Sequence, residues 1–187
     1  MNLEIREGRA HVWFSAVNAR PKNVDEFFRL VAEKHPTVSI QVVDLDRVPG
    51  HRYLTLATAN ALHSFRSNHP IGKTLGIELL LYIAGERQIT EALKRVGIAP
   101  ETRRVAIVAV GTSDELSAMP SFLNDLLGET FNDRLLDDWS QARIENVRSG
   151  FKIGDKELKA IARKEEPITA SIERLAIERS ALVAAKK

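Results

Sequence analysis

Cysteine is absent from the 187 residues. That excludes disulfides, thiolate nucleophiles and every zinc site built on sulfur, and it favours a reducing compartment. Long apolar runs are missing too. The longest candidate, residues 77–84, falls far short of the ~18 residues a membrane span needs. The charged start, residues 2–9, lacks the apolar stretch of a signal peptide. These absences lead to an expectation of a cytoplasmic protein with no membrane partner. The chain holds no GxxxxGK[ST] phosphate loop, no GxGxxG, no GxSxG nucleophile elbow and no HExxH helix. The five histidines, His11, His35, His51, His63 and His69, are scattered and give no metal-ligand spacing. Neither a catalytic constellation nor a cofactor is expected.

What is present is an ordinary globular balance, 44% hydrophobic and 28% charged, enough for one sizeable core. Residues 10–17, 38–45 and 104–110 are rich in β-branched and aromatic side chains and predict strands. The weaker alternation of residues 143–147 predicts a fourth. Helical periodicity appears over 23–35, 52–65, 70–84, 87–96, 120–139, 155–164 and 167–183. Asn23 and Glu26 have capping-pair spacing. Pro70 suits a first helical turn, Gly85 a break, and Gly97 a left-handed cap before Pro100. The last four residues are expected to fray. No repeat or linker composition interrupts the chain. The expected fold is α/β: a single domain over residues 1–187, with a small mixed or mainly antiparallel sheet of about four strands packed against several helices.

Net charge is only +2, yet it is segregated. Residues 112–138 contain one basic residue, Arg134, among seven acidic ones, and the rest of the chain is mildly basic, which permits contact with phosphates. Two carboxylate features stand out. Asp44 and Asp46 follow strand alternation and could share one face to hold a divalent cation, although capping a loop is the commoner role. Glu78 lies inside an almost wholly apolar helix, where it must pair with a nearby lysine or arginine or emerge at the surface.

Residues 54–98 carry more than periodicity. An alanine-rich helix holds Asn60-Ala61-Leu62. A helix near Lys73 runs into Ile77-Glu78-Leu79-Leu80. A small-residue break follows at Ala84-Gly85, then Glu86-Arg87-Gln88-Ile89 and the Gly97-Ile98 stop. In this order the stretch resembles the PRPK-binding protein family, the small kinase-binding subunit of the KEOPS tRNA-modification complex. Residues 41–50, 154–158 and 168–182 extend the resemblance. Two departures stand out: His51-Arg52-Tyr53 replaces the family's acidic-His pair, and residues 112–149 are longer and more acidic than the family's connection.

The resemblance implies a non-catalytic subunit that binds and regulates the KEOPS kinase, reaches the transferase subunit through that kinase, and grips the 3′ CCA end of tRNA for threonylcarbamoyladenosine modification. On this sequence the RNA contacts would be Lys73, Glu78, Arg87, Gln88 and Ile89, with Arg66, Arg103 and Arg104 towards the acceptor stem. Kinase contacts would come from Leu93, Val96, Leu175 and Leu182. Two other readings stay open: a small metal-dependent hydrolase using Asp44 and Asp46, and a self-assembling scaffold held by residues 112–139 with no RNA role.

Overall fold

The computed structural model describes the backbone of residues 2–4 and all of residues 10–67 and 69–183; the expected fraying of residues 184–187 lies outside them. Contacts group into two compact units, each assembled from two stretches of chain: residues 1–45 with 98–136, and residues 46–97 with 137–187. No linker composition in the sequence announces this division.

The first unit is built on a four-stranded sheet in the order β1-β2-β4-β3, with β1 Asn2–Glu4, β2 His11–Val17, β3 Ser39–Asp44 and β4 Val105–Gly111. All pairings are antiparallel. Three long strands carry the sheet and β1 adds a three-residue edge. Strand alternation sends Trp13, Val17, Ile40, Val42, Val105, Ile107 and Ala109 to one face. Two helices cover that face: α1 (Val24–Lys34), through Phe27 and Val31, and α2 (Ser113–Leu127), through Leu116, Met119 and Leu123. Asn23 caps α1 by accepting from the Glu26 amide at 3.1 Å.

The acidic helix starts seven residues before the expected boundary at 120. Thr112 and Glu115 form a complete capping box, which fixes the start, and Pro120 sits inside the helix. Beyond it, Asn132 donates its amide to Ala16 O at 2.8 Å, Phe131 packs edge-on against Trp13, and the buried Ser15 hydroxyl donates to Asp133. These contacts stitch residues 131–133 to strand β2.

The second unit is helical: α3 (His51–Arg66), α4 (Leu75–Ala84), α5 (Ile89–Val96), α6 (Gln141–Gly150), α7 (Asp155–Ile161) and α8 (Ile168–Ala181). Helix α4 is its centre, with residues 78–84 all buried, as its all-round hydrophobicity requires. The Tyr53 hydroxyl of α3 donates to Ile83 O at 2.8 Å, and Ser180 of α8 donates to Tyr82 O at 2.8 Å, satisfying carbonyls near the end of α4. Complete burial pushes the Tyr53 phenol far above its ordinary range.

Residues 143–147, expected as the fourth strand, belong to α6. Ser140 caps this helix by accepting from the Arg143 amide at 3.1 Å. Arg143 and Val147, four apart, turn inward together. Arg143 is fully buried. Its Nε and Nη2 donate to Val48 O at 3.1 and 3.0 Å, Nη1 donates to Asp138 O at 2.8 Å, and its guanidinium lies 4.9 Å from the Trp139 ring centroid. A charged residue thus occupies a core position, and this is what disguised the helix as alternating sequence.

Two further expectations change. Helix α4 begins at Leu75, capped by the Thr74 hydroxyl, so residues 70–73 are loop. Gly97 is extended (φ −67°, ψ 159°), not left-handed; a Cβ there would stand 2.3 Å from Leu93 O, so glycine is required by close approach. The left-handed cap is Gly85, φ +68°, ending α4.

Candidate functional site

The loop joining α3 to α4 is anchored from within. Glu78 is fully buried and pairs with no lysine or arginine among the described residues; its Oε2 accepts from the amides of Ile71 at 3.0 Å and Gly72 at 2.5 Å. This corrects the two outcomes expected for Glu78, an ion pair or a surface position. It is a loop anchor, and its burial removes it from direct contact with RNA. Gly72 is pressed so close that a Cβ would lie 2.7 Å from the Glu78 amide nitrogen.

The anchored loop forms one wall of a cavity of about 560 Å³. Helix α3 supplies Asn60, His63 and Ser64, the loop supplies Ser67, His69, Pro70 and Ile71, and Tyr82, Ala181 and Arg87 complete the lining. Arg87 is exposed at its mouth, and its Nη1 donates to Val183 O at 3.1 Å. That bond uses one of five guanidinium N–H groups, so the carbonyl orients the charge. The chemistry is that of an anion or nucleobase receptor: a fixed cation, imidazoles, a carboxamide and hydroxyls around an apolar floor.

Gln88 and Ile89 follow Arg87 directly. Gln88 is exposed at the N-cap of α5, where its side chain makes no capping bond. Ile89 is 44% exposed. Lys73 is exposed beside the Thr74 cap, on the loop and not on a helix, and it does not line the cavity. Arg66 is exposed at the end of α3. Gly85, which ends α4, is buried. Arg103 and Arg104 belong to the sheet unit; Arg104 O accepts from the Leu45 amide at 3.1 Å. Asn60, His63, Ser64 and Ser67 were missed by sequence reasoning. Their spacing of three, one and three puts them on one helical stripe, a signal obscured when the histidines are read singly.

Of the four apolar residues expected at a protein contact, Leu93 (52% exposed) and Leu182 (47%) stand at the surface. Val96 and Leu175 are buried and act as core beneath that surface. Leu56, Ile89 and Ile168 are the other large exposed hydrophobics among the described residues, and all five lie in the helical unit. Asp44 is buried and accepts from the Thr102 hydroxyl at 2.6 Å, the loop-capping role.

Sequence comparison places these features in context. Over 76 residues, 41% of its length, the chain is 33% identical to the KEOPS complex subunit Cgi121 of Pyrococcus abyssi (strain GE5 / Orsay). The matched stretch covers 43% of that relative, less than half its length. The profile of the family described as kinase binding protein CGI-121 matches residues 14–184, nearly the whole chain. The chain therefore belongs to the CGI-121 family of kinase-binding proteins.

Proposed function

We propose that this protein is a non-catalytic KEOPS subunit of the cytoplasm whose helical unit does both of its jobs, docking the KEOPS kinase and holding the 3′ CCA end of a tRNA during threonylcarbamoyladenosine modification. The transferase subunit is reached through the kinase. Family membership supports the kinase half. The observation that carries the RNA half is the cavity that gathers Arg87, His63, His69 and Asn60 beside exposed Gln88 and Ile89. A flexible, unstacked nucleotide end is recognised by edge hydrogen bonds, apolar support and a phosphate partner, and each of these is available at that mouth. Lys73 and Arg66 add charge on the neighbouring loop and helix end.

The kinase contact follows the exposed leucines Leu93 and Leu182, set over Val96 and Leu175. A protein interface needs apolar anchors inside a polar rim. Neither alternative is favoured. The Asp44 carboxylate is engaged by Thr102, and α2 turns Leu116, Met119 and Leu123 into the core of its own unit, which leaves a scaffold without its sticky face.

The test is binding of tRNA with and without its CCA end to the wild-type chain and to Arg87→Glu. The wild type should prefer the intact end, and the variant should lose about tenfold of that preference. Equal affinity of the wild type for both tRNAs would remove the RNA half. Retention of the KEOPS kinase in a pull-down by wild type, and its loss with Leu93→Asp, tests the other half.

A further inference from the structure

A second set of cations converges on the helical unit, sharing no lining residue with the cavity at Arg87. Arg47, Lys94, Arg95 and Ser149 line a small hollow of about 210 Å³. Arg148, Lys152 and the same Ser149 line a shallower one of about 410 Å³. The two hollows share Ser149, and the trough they make up together is lined by five cations, one carboxamide, Asn146, and a single carboxylate, Glu145.

Part of this charge is built in rigidly. Arg95 donates to Ala84 O at 2.7 Å, pairs with Glu86 and lies over the Phe151 ring. Arg148 pairs with Asp155 at 2.5 Å, and Arg47 donates to Lys94 O at 3.1 Å. The lysines are the adaptable members. Lys94 meets Glu91 at 2.8 Å in an exposed i,i+3 pair, a contact weak enough to exchange. Lys152 is exposed and held at φ +53°, a left-handed conformation that glycine adopts more cheaply. Keeping a long cation there, at the mouth of a basic hollow, is the kind of backbone outlier that marks functional positions. The Glu91 carboxyl is held below its ordinary range, first by the hydrogen bond from Lys94 and further by Arg95 and Lys152, so cations of both hollows act on one edge of α5.

No aromatic residue lines the trough, so it has nothing on which an unpaired base could stack. Cations without stacking partners suit the backbone of a duplex, which is recognised by charge and shape, and the one carboxamide of the lining, Asn146, can bond a phosphate oxygen or a ribose hydroxyl. We propose that the trough is a second RNA-binding surface, taking the phosphate backbone of a double-stranded stem. It rests on the RNA reading above for the class of partner alone, and not on the cavity at Arg87.

The test uses the full chain and two labelled RNA hairpins, one blunt and one extended by a single-stranded CCA end, titrated across a salt series. The blunt hairpin should bind the wild type and weaken as salt rises. Lys94→Glu combined with Lys152→Glu should lower its affinity at least tenfold and reduce the salt slope by roughly 2, whereas Lys34→Glu on α1 should change neither. The gain from adding CCA should be the same factor in wild type and in the double variant; loss of that gain alone would remove the cavity reading and leave the trough standing. Lys152→Gly separates binding from folding: its melting temperature should rise by about 2–4 °C as the left-handed strain is relieved, while blunt-hairpin affinity falls. Unchanged affinity and slope in the double variant would overturn the proposal. So would displacement of the hairpin by polyglutamate at equal charge concentration, which would make the trough a site for an acidic protein.

Discussion

The sheet unit and the helical unit are of similar size but present different chemistry. The sheet unit carries 9 Lys/Arg against 12 Asp/Glu; the helical unit carries 18 against 13. The five large exposed hydrophobics among the described residues all lie in the helical unit. Its hydrogen bonds also differ in kind. In the sheet unit polar groups mostly close caps, as Thr112 and Glu115 do for α2, and one buried carboxylate, Asp44, holds the loop at Thr102. In the helical unit buried charged residues hold loops: Arg143 binds the carbonyls of Val48 and Asp138, and Glu78 binds the amides of Ile71 and Gly72. The helical unit uses two fully buried charged side chains to fix the loops that frame its surface, which is how a binding face is pre-organised.

Substitutions that strike the two kinds of support sharpen this contrast. The largest effect is expected for Arg143→Ala, which leaves the carbonyls of Val48 and Asp138 without their charged donor and opens a cavity. It should cost about 3 kcal/mol in chemical denaturation. Met119→Ala, its counterpart in the sheet unit, should cost a similar ~3 kcal/mol by cavity formation alone, and its RNA and kinase binding should match wild type wherever it remains folded. Next comes Leu93→Asp, expected to weaken kinase binding by about 2 kcal/mol with little change in stability, because the side chain is 52% exposed. Glu78→Gln should cost about 1–2 kcal/mol and, by loosening residues 70–73, should reduce RNA affinity more than its loss of stability accounts for.

The smallest effect concerns Glu173, whose carboxylate accepts from the Tyr53 amide at 3.1 Å. Partial burial raises its pKa, outweighing the opposing hydrogen bond from Tyr53. A carboxyl raised in the folded state binds more protons folded than unfolded, so its contribution is fully present below the ordinary carboxylate value and declines as pH rises through the folded one. Glu173→Gln should therefore be slightly more stable than wild type at pH 7, by a few tenths of a kcal/mol after allowance for solvent screening, and the difference should vanish in acid. Melting curves at pH 4 and pH 7 check this.

Elements whose apolar periodicity matches their burial were legible in the sequence. The strands β2, β3 and β4 and the helices α3, α5 and α8 fall within a few residues of their expected bounds. The misreadings have particular causes. A buried arginine replaced the apolar residue that would have marked α6 as helix. The start of α2 at Thr112 is marked by its capping box and not by apolar periodicity, which becomes dense only from Phe122 onward. The loop at 70–73 was taken for a helical turn because Ile71 continues the four-residue spacing of Leu75 and Leu79. The candidates beside the helix end at Gly85, Arg87 to Ile89, came from the family resemblance. The cavity they border could not be read from the sequence, because its other wall comes from Asn60, His63 and His69, which meet Arg87 only through folding.

The central claim is that the helical unit does the binding and the sheet unit does not. Hydrogen exchange of the full chain, alone, with tRNA and with the KEOPS kinase, tests it most directly. New protection should fall within residues 46–97 and 137–183, around the 67–74 loop and α5 for tRNA and on the exposed faces of α5 and α8 for the kinase. Protection concentrated in α1, α2 or the sheet would contradict the account.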